Sequence, residues 1–315
     1  MTDKQENHKV SRAEIDPDTA GQRLDNFLMN RLKGVPRSHV YQLIRSGQVR
    51  VNSGRVQPRY RLQAGDSVRV PPVRQKSMPS IPKAGEGLAW LEACILFEDD
   101  RLIVVDKPAG LAVHGGSGIE FGLIEGLRSL RPGLKTLELV HRLDRGTSGC
   151  VMIAKRRSAL RRLHALIREG AIVKRYLGLV KDQWQHGETE IDMPLFVGRD
   201  NSAKRVRPDP NGKPALSIFR LVNLYGHQAS LVEIELKTGR THQIRVHAAF
   251  SGHPIAGDDR YGDPVFNSEC ARLGLKRMFL HAQLIEFVWP DSDEEFFINA
   301  PLPEELNKFL DRIPG

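Results

Sequence analysis

Cysteine is scarce: the 315 residues hold three, Cys94, Cys150 and Cys270, and none forms a CxxC pair. That scatter argues against a disulfide framework and a zinc ribbon, and a reducing cytoplasm is the expected setting. Long apolar runs are missing too. No segment approaches the roughly 18 apolar residues of a membrane span, and the polar N-terminus lacks the basic and apolar regions of a signal peptide. Nucleotide signatures are equally absent, with no GxGxxG after a strand pattern and no GxxxxGK[ST], so no nucleotide or redox cofactor is expected. The last shortage is of acid. Between residues 19 and 72 only Asp25 and Asp66 oppose ten basic residues, a local net charge of +8 in a chain of +9. A pI near 9.6 and this clustering point to a polyanionic partner.

What is present divides the chain into four parts. Residues 1–18 carry few apolar residues and no period, and are expected to form a flexible tail. Residues 19–72 read as a small α+β module: Leu24, Phe27 and Leu28, then Val40, Leu43 and Ile44, recur at helical spacing. Val49 with Val51 and Val68 with Val70 alternate as strands between glycine turns. Prolines, glycines and lack of period mark residues 73–90 as a linker. Residues 91–315 form the larger domain. Apolar runs at Leu102–Val105, Val151–Ala154, Tyr176–Val180 and Leu231–Leu236 predict strands, and Ser158–Arg168 and Thr241–Phe250 predict helices, the second stopped by Gly252. The expected class is α+β, with a largely antiparallel mixed sheet and flanking helices.

The run His141-Arg142-Leu143-Asp144-Arg145-Gly146-Thr147-Ser148-Gly149 carries the clearest chemistry. A carboxylate between two arginines is expected to be ionised, and so fit to act as nucleophile or proton acceptor. Spacing alone leaves a surface ion pair as the commoner outcome. His242, His247 and His253 invite a metal reading, which is rejected because no carboxylate or cysteine completes a ligand set.

The full run resembles the central motif of the pseudouridine synthases, in the branch that modifies large-subunit ribosomal RNA and some tRNA. Lys107-Pro108-Ala109-Gly110 with Val113-His114-Gly115-Gly116 resembles that family's first motif, and Lys174-Arg175-Tyr176-Leu177 its tyrosine segment. Lys237 to His247, with Gly252 to Asp258, resembles its third motif, and Leu280-His281-Ala282 its closing signature. Arg23-Leu24-Asp25 with Phe27-Leu28, Arg37-Ser38, Gly47 to Asn52 and Gly65-Asp66 resemble the S4 domain, an RNA-binding module.

The resemblance implies an isomerase that turns uridines of 23S rRNA into pseudouridine without a cofactor. It makes Asp144 the nucleophile or initiating base, Tyr176 the stacking face for uracil, and Arg245 the partner of Asp144. Arg142 is expected to hold the flipped nucleotide and Leu280 to pack beneath the tyrosine. Arg37, Arg45, Arg50 and Arg55 are the expected phosphate contacts. The protein is expected to act as a monomer on RNA, away from membranes. Three alternatives stand beside this reading: a non-catalytic RNA-binding or ribosome-assembly factor, the same activity on other 23S rRNA or tRNA uridines, and a retaining glycosidase using Asp258 or Asp259 as a second acid.

Overall fold

A computed structural model describes residues 10–17, 19–32, 35, 37–73, 88–115, 121–185, 187–200 and 203–314. The chain separates into two compact units, residues 1–83 and 84–315.

The first unit contains β1 (Ser11–Glu14), α1 (Leu24–Arg31), α2 (Arg37–Arg45), β2 (Arg50–Val51) and β3 (Ser67–Val70), and its antiparallel sheet has the order β1-β3-β2. The two helices deliver Leu24, Leu28, Val40, Leu43 and Ile44 to a core completed by Val51, Leu62, Val68 and Val70. The expected tail of residues 1–18 is corrected over its second half, where β1 pairs with β3 from Ser11 opposite Val70 to Glu14 opposite Ser67. Ala13 and Ile15 alternate into the core, so pairing covers an edge of β3 and buries two side chains at once. Residues 1–9 lie outside the described residues.

Most of the expected linker, residues 74–87, also lies outside the described residues. Its last part is ordered: Leu88 is buried and α3 (Ala89–Glu92) begins just after it.

The second unit continues with β4 (Ile95–Glu98), β5 (Leu102–Lys107), α4 (Leu123–Leu130), β6 (Glu138–Leu139), β7 (Ser148–Ala154) and α5 (Arg157–Glu169). Then come β8 (Val173–Lys181), β9 (Thr189–Asp192), β10 (Leu195–Asp200), β11 (Ala203–Pro208), β12 (Leu216–Tyr225), β13 (Ala229–Leu236) and α6 (Gln243–Phe250). The chain closes with α7 (Pro264–Arg272), β14 (Leu280–Val288), β15 (Glu295–Asn299) and α8 (Glu304–Leu310).

One ten-stranded sheet of order β4-β5-β7-β14-β8-β13-β12-β9, with β15 beside β14 and β6 beside β7, organises this unit. β14 runs parallel to β7 through His281–Ser148 and Ala282–Gly149, while β14 and β8 are antiparallel. This central junction needs Gly149, whose φ is 108° and whose added Cβ would lie 2.1 Å from the Ala282 carbonyl oxygen. Through this close approach β7, β14 and β8 become neighbours, and the residues that resemble catalytic ones sit on or beside these three strands.

The four predicted strands and both predicted helices are present. α5 buries Ala159, Leu163 and Leu166, the stripe expected of its spacing. α6 starts two residues later than Thr241 because His242 adopts a left-handed φ of 53°.

Candidate active site

Asp144 lies in the irregular segment between β6 and β7. Buried Leu143 and Thr147 anchor it on either side, and the Thr147 N–H donates to the Asp144 carbonyl at 3.1 Å. The loop is tied to the end of β5 by reciprocal bonds: Gly110 N–H to the Arg145 carbonyl at 2.8 Å, and Arg145 Nε to the Gly110 carbonyl at 2.9 Å. Lys107, fully buried at the end of β5, donates from Nζ to the carbonyls of Pro108 at 3.0 Å, Leu111 at 2.9 Å and Arg145 at 3.4 Å. Desolvation, with the charge of Arg277 adding to it, pushes the Lys107 pKa down to about 7.

The expectation that Arg142 and Arg145 hold the carboxylate is not met. Arg142 is exposed and Arg145 turns to Gly110, and among the described residues neither pairs with Asp144. Neighbours in an irregular segment point apart, so adjacency along the chain gives no contact. The cation comes from α6: Arg245 Nη1 stands 3.4 Å from Asp144 Oδ2. Its remaining donors fork onto Asp258, Nε to Oδ2 at 2.7 Å and Nη2 to Oδ1 at 2.6 Å. Burial would raise the Asp258 carboxyl, but Arg245 and the N–H groups of Arg260 and Tyr261 outweigh it and hold the pKa below the usual carboxylate value. The Tyr261 ring centroid is 5.1 Å from the Arg245 guanidinium carbon. Asp258 therefore fixes the fork that reaches Asp144, and it is not available as a second catalytic acid.

His242 approaches from the same turn, its Nε2 3.8 Å from Asp144 Oδ2 and its Nδ1 2.9 Å from the Tyr261 hydroxyl. That hydroxyl also accepts the Val206 N–H at 3.2 Å, so Tyr261 ties His242 to β11, the strand carrying Val206. Burial lowers the His242 pKa, with Asp144 opposing.

Tyr176 stands on β8 opposite Ala282 of β14 and Ile234 of β13. Leu280, two residues before Ala282, leaves the same face of β14, and both Tyr176 and Leu280 belong to the core beneath the site. Burial, reinforced by the charge of Asp144, pushes the phenol pKa up, so the hydroxyl is un-ionised at neutral pH. Asp144, Tyr176, Arg245, Arg142 and Leu280 all line one cavity of about 300 Å³, room for a pyrimidine nucleoside. A wider cavity of about 890 Å³ shares Asp144, Arg142 and Arg245 and adds His114, Arg145, Arg260, Lys276 and Arg277. Cations predominate around it, as a polyphosphate chain requires.

In the first unit, Arg45, Arg50 and Arg55 are exposed. Arg50 Nε donates to the Gly47 carbonyl at 3.2 Å, and a Cβ added to Gly47 would lie 2.5 Å from Arg55 Nε, so these two gather at the end of α2. The side chain of Arg37 lies outside the described residues. Both acids of residues 19–72 are buried: Asp25 binds Arg23 and Tyr41, and Asp66 binds Asn52, Tyr60 and the Gln63 N–H. The exposed charge of that stretch is therefore all positive among the described residues.

Sequence reasoning gave Lys107 and Tyr261 no role, and offered His242 only as a rejected metal ligand and Asp258 only as an alternative second acid. Lys107, His242 and Asp258 stand inside the quoted motifs, but nothing in their spacing shows that they gather around the loop of Asp144 and the Arg245 that meets it; Tyr261 lies beyond the third motif.

Comparison with known proteins agrees with this geometry. Residues 101–250 match the model of the RNA pseudouridylate synthase family, and residues 22–68 match the S4 domain. The ribosomal large subunit pseudouridine synthase C of Pasteurella multocida is 50% identical over 307 residues, covering 96% of this chain and 94% of that protein. Its counterpart from Escherichia coli K12 is 48% identical over 315 residues, covering 98% of each. Among solved structures, human RNA pseudouridylate synthase domain containing 4 aligns with a TM-score of 0.60 and 25% identity over 72% of this chain and 97% of that one. The chain belongs to the RNA pseudouridine synthase family, with an S4 domain preceding the catalytic unit.

Proposed function

We propose that this enzyme isomerises uridines of the large-subunit 23S ribosomal RNA to pseudouridine, the substrate named for its relatives at about 50% identity over nearly the whole chain. The observation that carries the chemical part is the carboxylate of Asp144 at the mouth of a nucleoside-sized cavity, gripped by Arg245 and walled by Tyr176. Asp144 starts the reaction, by attack on the sugar, addition to the base, or removal of a sugar proton. Uracil lies against Tyr176, with Leu280 under the ring. A base must leave its stack to reach such a cavity, and exposed Arg142, shared by both cavities, holds the displaced nucleotide.

The reaction breaks the N1–C1′ bond and makes C5–C1′ with no net gain or loss of atoms. It needs no nucleotide or redox cofactor. The S4 domain adds phosphate contacts through Arg37, Arg45, Arg50 and Arg55. We read the enzyme as cytoplasmic, in keeping with its three free cysteines, and as a monomer, which sedimentation of the purified protein checks.

The substrate is tested by incubating purified protein with ribosomal and transfer RNA from cells lacking the enzyme, then mapping pseudouridine by chemical labelling and sequencing. The expected result is new pseudouridine at discrete 23S positions. Modification confined to tRNA would contradict the ribosomal assignment.

A further inference from the structure

The cavity that holds Asp144 and Tyr176 is lined by one more cation besides Arg142, Arg240 and Arg245. Lys174 precedes Tyr176 by two residues on β8, so both side chains leave the same face of the strand, and both line the cavity. Arg175, between them on the opposite face, has Glu233 3.9 Å away. Lys174 has no such partner: among the described residues it makes neither an ion pair nor a hydrogen bond, and no carboxylate acts on its titration. It is half-buried, and burial alone holds its pKa below that of an ordinary lysine. His141, whose pKa is pushed down to about 3 by burial and by this lysine, is neutral, its Nε2 accepting the Met152 N–H at 3.1 Å. The lysine's charge is therefore unanswered from every side of its surroundings that the structure describes.

A half-buried ammonium without a counter-ion disfavours the folded state. Its position beside the stacking tyrosine marks the place of an anion that arrives with the substrate or forms during the reaction. The proposed isomerisation forms one. When the N1–C1′ bond breaks with its electron pair leaving on the base, uracil becomes an anion with charge spread over N1, O2 and O4. C5 then bonds to C1′, the C5 proton is lost and N1 takes up a proton, so atoms and charge balance. We propose that Lys174 stabilises the detached uracil anion, its ammonium meeting a ring carbonyl oxygen while the ring lies on Tyr176. This rests on reading the cavity as the uridine site, with cleavage at the sugar. The charge develops as the bond breaks, so the interaction favours the transition state over the bound substrate.

The test compares wild type, Lys174→Met and Lys174→Arg on a 23S rRNA transcript. It reads the single-turnover rate with enzyme in excess, the RNA Kd across a salt series, and the melting temperature. Lys174→Met is expected to lower the rate by about 10²–10³-fold, to leave Kd and its salt slope unchanged, and to melt no lower than wild type because an unpaired charge is removed. Lys174→Arg is expected to recover part of the rate. A weaker Kd with a shallower salt slope and an unchanged saturating rate would assign the lysine to a phosphate and overturn the proposal. A lowered melting temperature with rate and affinity falling together would make it structural, and an unaffected rate would also overturn it. Absence of pseudouridine with wild-type protein would instead overturn the underlying reading of the cavity.

Discussion

At the residue scale, the site turns on one arginine shared among three carboxylates, Asp258, Asp144 and exposed Asp259. Arg245 makes a fork with buried Asp258 through Nε and Nη2 and turns Nη1 to Asp144. Replacing Arg245 by Met strands a buried carboxylate, and urea unfolding is expected to show a loss of about 3–5 kcal/mol together with loss of pseudouridine formation. Adding Asp258→Leu should restore much of that stability without restoring activity, which separates the two roles. The Asp258 carboxyl titrates below its ordinary value, so its contribution is complete above about pH 4 and is lost as pH falls further. Asp258→Asn should flatten that acid limb in a urea-midpoint profile. The motif strings singled out Asp144, Tyr176 and Arg245, and the three line one cavity. The cation that meets Asp144 was not legible in the sequence, since Arg142 and Arg145 flank it in the chain while the guanidinium beside it comes from 101 residues away.

At the element scale, the loop carrying Asp144 is held by the strand end it crosses. Lys107 joins Pro108, Leu111 and Arg145 through three carbonyls, stitching the end of β5 to the residue after Asp144. Its pKa near 7 lies below the unfolded value of about 10.4. Between those values the unfolded chain binds more protons than the folded one, so this group's contribution to stability rises with pH from about 7 and is least favourable at and below it. Stability measured from pH 7 to 9 is expected to show this rise in wild type and not in Lys107→Met. The same variant should lower the reaction rate, because the loop carrying Asp144 loses its tie. Periodicity revealed the long elements, such as the amphipathic α5. It failed where an element is short or its backbone unusual: β1 offers only Ala13 with neighbouring Ile15, and the left-handed His242 delays α6, placing its imidazole beside Asp144.

At the scale of the whole molecule, the charge imbalance read from composition becomes a surface property, because Asp25 and Asp66 are both buried in hydrogen-bond networks. Arg45, Arg50 and Arg55 together are expected to release about three counterions on RNA binding. Their triple alanine variant should reduce the slope of log K against log salt by about 2 to 3. An unchanged slope would remove the phosphate role of the S4 domain. The two-unit division and the α+β class were legible because charge, proline content and hydrophobic period all change along the chain. The strand order was not, because the parallel contact of β7 with β14 joins segments over 130 residues apart and depends on the single close approach at Gly149.

The central claim is that the Asp144 carboxylate initiates uridine isomerisation in this cavity. Its most direct test is pseudouridine formation in a 23S rRNA transcript by wild type and by Asp144→Asn, which keeps the shape and removes the charge. Product from wild type and none from Asp144→Asn, with equal RNA binding, is the expected result. Product from both would contradict the role of Asp144, and product from neither would leave an RNA-binding protein in place of an enzyme.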